Sequence, residues 1–391
     1  MQAKRGECFP EFILQALFRE RTCPPGRIKG WVFHGRETKG EESKVYTKVY
    51  KSYGVGESKN LKQGEGERSM ENILVRNDAE TDERHGWRPE KRPVERLIQY
   101  GIININKPAG PTSHQISEYV KKMLNVKKAG HSGTLDPKVT GVLPIATAQA
   151  TRVVDVLLKS NKEYIALMHL HKEEGENKVR EVMREFTGEI KQTPPRRSAV
   201  KRQERRRRID ALEILEVQGK EILCRISCQA GTYIRTLIHH IGLRLGTGAH
   251  MTQLIRTKTG PFTYKTWHTL HDVKDAIEFY KQGNEREIRK IVVPFEAAVV
   301  HLPKIWVNDS AVDTLCHGSP LGIPGVVKMT AAVKSPSTVA LMTLKEELIG
   351  LATAQVSAEE IMQKEKGLAA RVTKVFMERG VYPPYKKKEK I

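Results

Sequence analysis

Long apolar runs are missing from this 391-residue chain. No stretch approaches the roughly 20 apolar residues that a bilayer span needs. The first residues also lack the uninterrupted apolar core of a signal peptide. Cysteine is scarce: Cys8, Cys23, Cys224, Cys228 and Cys316 are scattered, which argues against a disulfide framework. Cys224 and Cys228 lie four residues apart in Glu221–Cys228, which reads as a strand. That spacing along a strand is about 13 Å, too far for one metal ion. No other Cys/His cluster has ligand spacing, so no metal is expected. Acid is in short supply as well, with 46 Asp and Glu against 67 Lys and Arg, a formal net charge of +21. Such an excess calls for an anionic partner, nucleic acid before an anionic membrane. Together these absences lead to the expectation of a cytoplasmic protein that binds no membrane.

What is present divides the chain. At 39% hydrophobic residues and this length, two or more globular domains are expected. Residues 1–69 are rich in Gly, Lys, Glu and Ser and read as a disordered leader, or an upstream start, ahead of Met70. From Gly101, Ile102–Asn106 reads as a strand that stops at Lys107-Pro108-Ala109-Gly110-Pro111. Thr112 or Ser113 then caps a helix to about Leu124. Val139–Ala146 is apolar, Thr151–Leu158 reads as helix, and Glu163–His171 alternates as a strand. His169 and His171 share a face of that strand and read as surface residues rather than ligands. A short helix over Lys178–Thr187, the strand Glu221–Cys228 and a helix from about Thr232 to Leu245 follow. Strands and helices without a βαβ rhythm predict an α+β fold. From Pro303, closely spaced short strands with Gly-Pro turns predict a small β-barrel to about residue 382, ahead of a basic tail over 383–391.

Three features could carry chemistry. His131-Ser132-Gly133-Thr134-Leu135-Asp136-Pro137 sets one acid in a loop braced by glycine and proline. Pro137 keeps the aspartate backbone out of the helical region, and Gly133 lets a ligand approach. One carboxylate there is a nucleophile on a sugar carbon, a proton acceptor, or an ordinary turn residue. Gly231-Thr232-Tyr233-Ile234-Arg235 places Arg235 in the first turn of a helix. The macrodipole disfavours a cation there, so either an anion lies nearby or Arg235 is a plain surface residue. The third feature is the basic run holding Arg196, Arg197, Lys201, Arg202, Arg205, Arg206, Arg207 and Arg208. It follows a Pro-Pro turn and reads as a positive loop able to close over a phosphate backbone.

Taken together the motifs resemble those of the TruB-type pseudouridine synthases, in the same order, over about residues 90–270. The Asp136 segment resembles their catalytic motif and Asn106-Lys107-Pro108-Ala109-Gly110-Pro111-Thr112-Ser113 their first motif. Lys162-Glu163-Tyr164 is similar to the motif that supplies a tyrosine, and the Arg235 segment to the one that supplies an arginine. Gly248-Ala249-His250 through Leu254-Ile255-Arg256 resembles the last. His317–Val326 resembles part of a PUA domain, a small RNA-binding barrel. Trp87-Arg88-Pro89-Glu90-Lys91-Arg92-Pro93 resembles the archaeal and eukaryotic dyskerin-like branch of box H/ACA ribonucleoproteins. The modest length after Pro303 looks archaeal. One departure is Asp210, where the family commonly has an aromatic.

The resemblance implies an RNA uridine-to-pseudouridine isomerase that needs no cofactor. Asp136 would act on the ribose, either bonding it or removing a sugar proton. Tyr164 would stack on the base and help take the C5 proton, and Arg235 would hold Asp136 ionised. His131, Leu254 and Lys107 would contact the substrate. The implied domains are a synthase domain over 70–302, whose lead-in 70–100 packs on the PUA domain, and a PUA domain over 303–382. The implied partners are guide RNA, rRNA and tRNA, a zinc-ribbon protein, a Gar-type protein and a kink-turn-binding ribosomal-type protein. Guide-independent action on tRNA is a further expectation. A non-catalytic RNA scaffold and a glycoside hydrolase are the competing readings. The hydrolase ordinarily needs a second carboxylate, and none stands out.

Overall fold

Apolar residues in the middle of the chain build one large sheet, and those from Lys304 onward, joined by Ile73–Val75, build a second. The computed structural model describes residues 72–195 and 202–384. The expected leader 1–69, Arg196, Arg197 and Lys201 of the basic run, and residues 385–391 of the tail lie outside the described residues.

In chain order the elements are β1 (Ile73–Val75), α1 (Val94–Gln99), β2 (Gly101–Lys107), α2 (Ser113–Met123), β3 (Ala129–His131), β4 (Thr140–Thr147), α3 (Val154–Lys159) and β5 (Lys162–Leu170). Next come α4 (Glu176–Glu185), β6 (Gly188–Gln192), β7 (Arg205–Gln218), β8 (Glu221–Cys228), α5 (Ile234–Leu245) and β9 (Ala249–Thr259). β10 (Phe262–Thr263), α6 (Leu270–Lys281), α7 (Arg286–Ile291) and β11 (Val292–Pro294) complete the first half. The remainder is β12 (Lys304–Val307), α8 (Asp309–Cys316), β13 (Leu321–Gly322), β14 (Val326–Thr330), β15 (Ser337–Met342), β16 (Leu348–Ala354), α9 (Ala358–Gln363) and β17 (Leu368–Val375).

The large sheet runs β11-β2-β4-β9-β5-β8-β7-β6, with β3 beside β4 and β10 beside β9. Only the β4–β9 pair is parallel. β5 is apolar on both faces because both are covered, and so it lacks a clean two-residue alternation. On one face, Ile116 and Val120 of α2, Leu237, Ile238 and Ile241 of α5 and Val273 of α6 pack on Ile103, Leu143 and Ile226. Each such side chain stabilises the fold by about 1.5–3 kcal/mol when fully buried. A second core joins Ile102 and Val142 to Trp306, Ala340 and Phe376. The smaller sheet, β1-β14-β12-β15-β16-β17-β13, therefore stands against the back of β2 and β4, far from the sheet face that carries α5. Its short strands are bent by register shifts in β12, β13, β15 and β16.

The mixed helix-and-strand architecture agrees with the sequence expectation, and three local differences have physical causes. Arg205–Arg208 lies in β7, paired with β6, and does not form a loop. Four adjacent arginines hide the alternation that their partial and full exposure reveals. Residues 148–153 wind as a tighter 3-10 helix before α3. β9 is not apparent in the sequence because His250, Thr252 and Lys258 interrupt its apolar residues.

Candidate active site

The Asp136 loop spans the turn between β3 and β4 and is tied down from three sides. Ser113, the first residue of α2, donates its hydroxyl to Leu135 O at 3.1 Å and accepts from Leu135 N at 2.8 Å. α2 is itself fixed by a capping box in which Thr112 and Gln115 exchange hydrogen bonds. Gly110 N donates to Pro137 O at 3.0 Å, and Val139 N closes the turn onto Asp136 O at 3.0 Å. Lys107 is fully buried, and its Nζ donates to the carbonyls of Pro108, Pro137 and Val139 at 2.9, 3.0 and 2.9 Å. Burial pulls that ammonium below its ordinary range, and the Asp136 carboxylate opposes the shift. This corrects the expectation of a substrate contact: Lys107 braces the loop from beneath and has no exposed surface.

Arg235 is the second residue of α5, and its Nη2 donates to Asp136 Oδ2. The pair is open to solvent, with side chains 59% and 55% exposed, so a ligand can reach the carboxylate. The start of α5 is held by Gln192, whose amide donates to Tyr233 O at 3.2 Å and accepts from Tyr233 N at 3.0 Å. Gly231, with φ of +79°, makes the turn that admits this helix; a Cβ there would lie 3.2 Å from the Arg207 guanidinium. The basic strand thus runs beside the helix that carries Arg235. Arg206 pairs with Glu189 at 3.0 Å and Arg208 with Asp210 at 3.0 Å, all at the surface, and Arg202 is exposed. Asp210 also accepts from Asn161 at 2.9 Å, a use for the acid that stands in place of an aromatic.

Tyr164 of β5 is buried and lies opposite Arg256 of β9. Arg256 ends the last of the sequence motifs, and the sequence alone gives it no role. It is 1% exposed, donates through Nε to Val142 O at 2.7 Å and through Nη2 to Gly133 O at 3.1 Å, and stands opposite Tyr164 across the β5–β9 pair. Burial raises the Tyr164 phenol above its usual range while the guanidinium works the other way. His131 is the last residue of β3, at the entry to the loop; burial, then the Arg256 charge, lowers its imidazole. Its buried Nδ1 has no hydrogen-bond partner among the described residues. Leu254 is half-buried on β9, paired with Ala166 of β5. Lys162, the start of the tyrosine motif, is withdrawn from the site. Its Nζ donates to Leu157 O, Leu158 O and Ser160 O at the end of α3, and burial pushes it down to about 8.

His169 and His171 meet His250 at the far end of β5, with His171 Nε2 and His250 Nδ1 3.1 Å apart. Among the described residues no group of three or more His, Cys, Asp or Glu is arranged to hold a metal ion. Nor is any helix there long and apolar enough to cross a membrane.

A family model described as the N-terminal domain of TruB family pseudouridylate synthases matches residues 121–177 and 171–234. One described as the tRNA pseudouridylate synthase B C-terminal domain matches 235–300. A "Probable tRNA pseudouridine synthase B" of Pyrococcus abyssi is 54% identical over 314 residues, which cover 80% of this chain and 94% of that protein. The chain belongs to the TruB family of pseudouridylate synthases. As a member of that family it is an RNA uridine isomerase. A DKCLD domain model matches 68–117 and a PUA domain model 303–376, so the smaller sheet is a PUA domain. The protein of the same description from Methanopyrus kandleri is 48% identical, covering 80% of this chain and 92% of its own. Two solved structures superpose with TM-scores of 0.75. One is an H/ACA RNP bound to a substrate RNA containing 2'-deoxyuridine (50% identity, 80% of this chain and 97% of that one). The other is a Cbf5-Nop10-Gar1 complex (53% identity, 80% and 96%).

Proposed function

We propose that this synthase isomerises uridines of rRNA and tRNA as the catalytic subunit of an archaeal box H/ACA guide ribonucleoprotein. Its partners in this reading are guide RNA, a zinc-ribbon Nop10-type protein, a Gar1-type protein and a kink-turn-binding ribosomal-type protein, inside the cell. Support comes from the chains of the H/ACA particle and the Cbf5-Nop10-Gar1 complex, which this chain matches over almost their whole length. In the domain division we propose, residues 70–302 carry catalysis and 303–382 bind RNA, with 70–100 as a lead-in. β1 of that lead-in pairs with β14 of the PUA sheet.

The observation that supports the catalytic reading is the solvent-open Asp136–Arg235 contact on a loop that Arg256, the register partner of buried Tyr164, also holds at Gly133. Asp136 attacks the ribose or removes one of its protons, and the glycosidic bond opens. The freed uracil turns and rejoins through C5. Tyr164 stacks on the base and accepts the C5 proton. Arg235 holds the Asp136 carboxylate in place through its guanidinium hydrogen bond. His131 and Leu254 hold the flipped nucleotide, whose extraction from its stack costs roughly a few kcal/mol. Contacts from Arg202 and Arg205–Arg208, with Arg196, Arg197 and Lys201, to the phosphate backbone offset that cost. No cofactor is required, because substrate and product are isomers.

The test is Asp136→Asn in the assembled particle. Single-turnover pseudouridine formation is expected to fall by about a thousandfold or more, with RNA affinity retained. An Asn variant that turns over at the native rate removes Asp136 from the mechanism and favours the scaffold reading. Repeating the assay on unmodified tRNA with and without guide RNA and partners separates guided from free-standing action.

A further inference from the structure

Arg256 is the largest fully buried side chain of the described residues. A buried guanidinium is costly to desolvate, and a bridge between β4 and β9 could be made by apolar residues at less cost. What distinguishes this position is the set of groups it joins. Nε reaches Val142 O on β4, Nη2 reaches Gly133 O in the Asp136 loop, and its register partner on β5 is Tyr164. The backbone is tied in as well. Gly141, at φ of +106°, lies so close to Arg256 that a Cβ there would come within 2.2 Å of Arg256 O. Three strands and the nucleophile loop therefore converge on one residue.

We propose that Arg256 is a positioning residue for the synthase reaction, fixing the Tyr164 oxygen relative to the Asp136 loop and holding a positive charge beside that oxygen. The proposal rests on the reading of Asp136 and Tyr164 given above. In the last step the C5–H bond breaks and its electron pair restores the C5–C6 double bond. The proton passes to the Tyr164 oxygen, and N1 of the new pseudouridine takes up a proton from water. An acceptor oxygen must have lost its own proton first. Burial in the sheet opposes that loss, and the adjacent guanidinium favours it. A planar fork with several donors holds two carbonyls at once while its strand sets it opposite Tyr164; a lysine ammonium on its flexible stem does not fix that geometry.

The experiment compares Arg256→Lys, Arg256→Gln, Tyr164→Phe and the Arg256→Lys/Tyr164→Phe double variant in the assembled particle. Single-turnover rates are followed from about pH 6 to 10. Arg256→Lys is expected to fold, to bind RNA as the native chain does, and to react about a hundredfold more slowly. Its rate should rise at a higher pH than the native rate. In the Tyr164→Phe background the same substitution should change little, because the oxygen it serves is gone. Replacing Tyr164 with 3-fluorotyrosine, a more acidic phenol, should move the native rise to lower pH. A native pH profile in folded Arg256→Lys, multiplying losses in the double variant, or a fluorotyrosine profile that does not move each overturns the proposal. Failure of both Arg256 variants to fold assigns the residue to the core alone and overturns it too. Turnover by Asp136→Asn would instead sink the site reading itself. An inactive Asp136→Asn beside a native-profile Arg256→Lys would remove only the positioning role.

Discussion

Beneath the Asp136 loop, the Lys107 ammonium donates to three carbonyls on either side of the turn. Replacing Lys107 with Met keeps the length of the side chain and leaves those carbonyls without their donor. Unsatisfied buried acceptors cost about 1–3 kcal/mol each, partly relieved by local relaxation, so a net loss of about 2–4 kcal/mol is expected in thermal or urea unfolding. Turnover should fall further than stability explains, because the loop that aims the carboxylate loses its floor. Native stability and native rate in Lys107→Met would remove the brace from the account. At this scale the sequence is informative where a residue violates a local rule. Arg235 sits in the first turn of a helix, where the macrodipole disfavours a cation, and the structure brings an anion to it. Lys107 and Arg256 break no local rule. Their most distant hydrogen-bond partners lie 32 and 123 residues away in the chain, so their roles as a brace and a hub are legible only in three dimensions.

The β6–β7 pair is the element that sequence periodicity conceals and the one whose charge matters most for RNA. Arg206 and Arg208 project from it with side chains 71% and 74% exposed, each paired with a surface acid. Such pairs contribute about 0–1 kcal/mol, so Arg206→Ala and Arg208→Ala should leave the unfolding midpoint nearly unchanged. RNA affinity should drop, and the slope of log affinity against log salt should shrink by about one for each phosphate that the variant no longer neutralises. A titration series whose salt slope stays native in both variants would place the RNA elsewhere. Other elements are plain in the sequence for a physical reason. The strand β8 coincides with the apolar run Glu221–Cys228, and the start of α2 is announced by Thr112 with Gln115 three residues on. β9 resists such reading because it packs between two strands while its open positions carry histidine, threonine and lysine.

At the scale of the whole molecule, the junction between the two sheets turns on a buried charge cluster. Arg92 donates to both Glu296 oxygens at 2.9 and 2.6 Å, and Glu347 lies 3.8 Å from the same guanidinium. Leu348 N and the Tyr382 hydroxyl donate to these acids at 3.2 and 2.9 Å, which joins the lead-in, the end of the synthase part and the PUA sheet. Burial raises the Glu347 carboxyl above its usual range, against the pull of Arg92. A carboxyl raised on folding stabilises fully only below its unfolded value, and that contribution is lost as pH rises through the folded value. Arg92→Met removes the opposing cation, so the raise grows and the penalty at neutral pH grows with it. We expect a loss of about 3–5 kcal/mol near pH 8, as for other buried pairs deprived of one partner, narrowing toward pH 5 as Glu347 takes up a proton. The native chain has its own acid sensitivity. Burial lowers His131, His240, His268 and His301, so the stability they contribute is complete above about pH 6.5 and is lost as pH falls. Both chains share those histidines, and the difference between variant and native unfolding free energies isolates the two carboxyls that face Arg92. Urea denaturation of the two chains at pH 8, 6.5 and 5 measures it, and a gap that stays constant across that range would show that the carboxyls of this cluster do not sense Arg92.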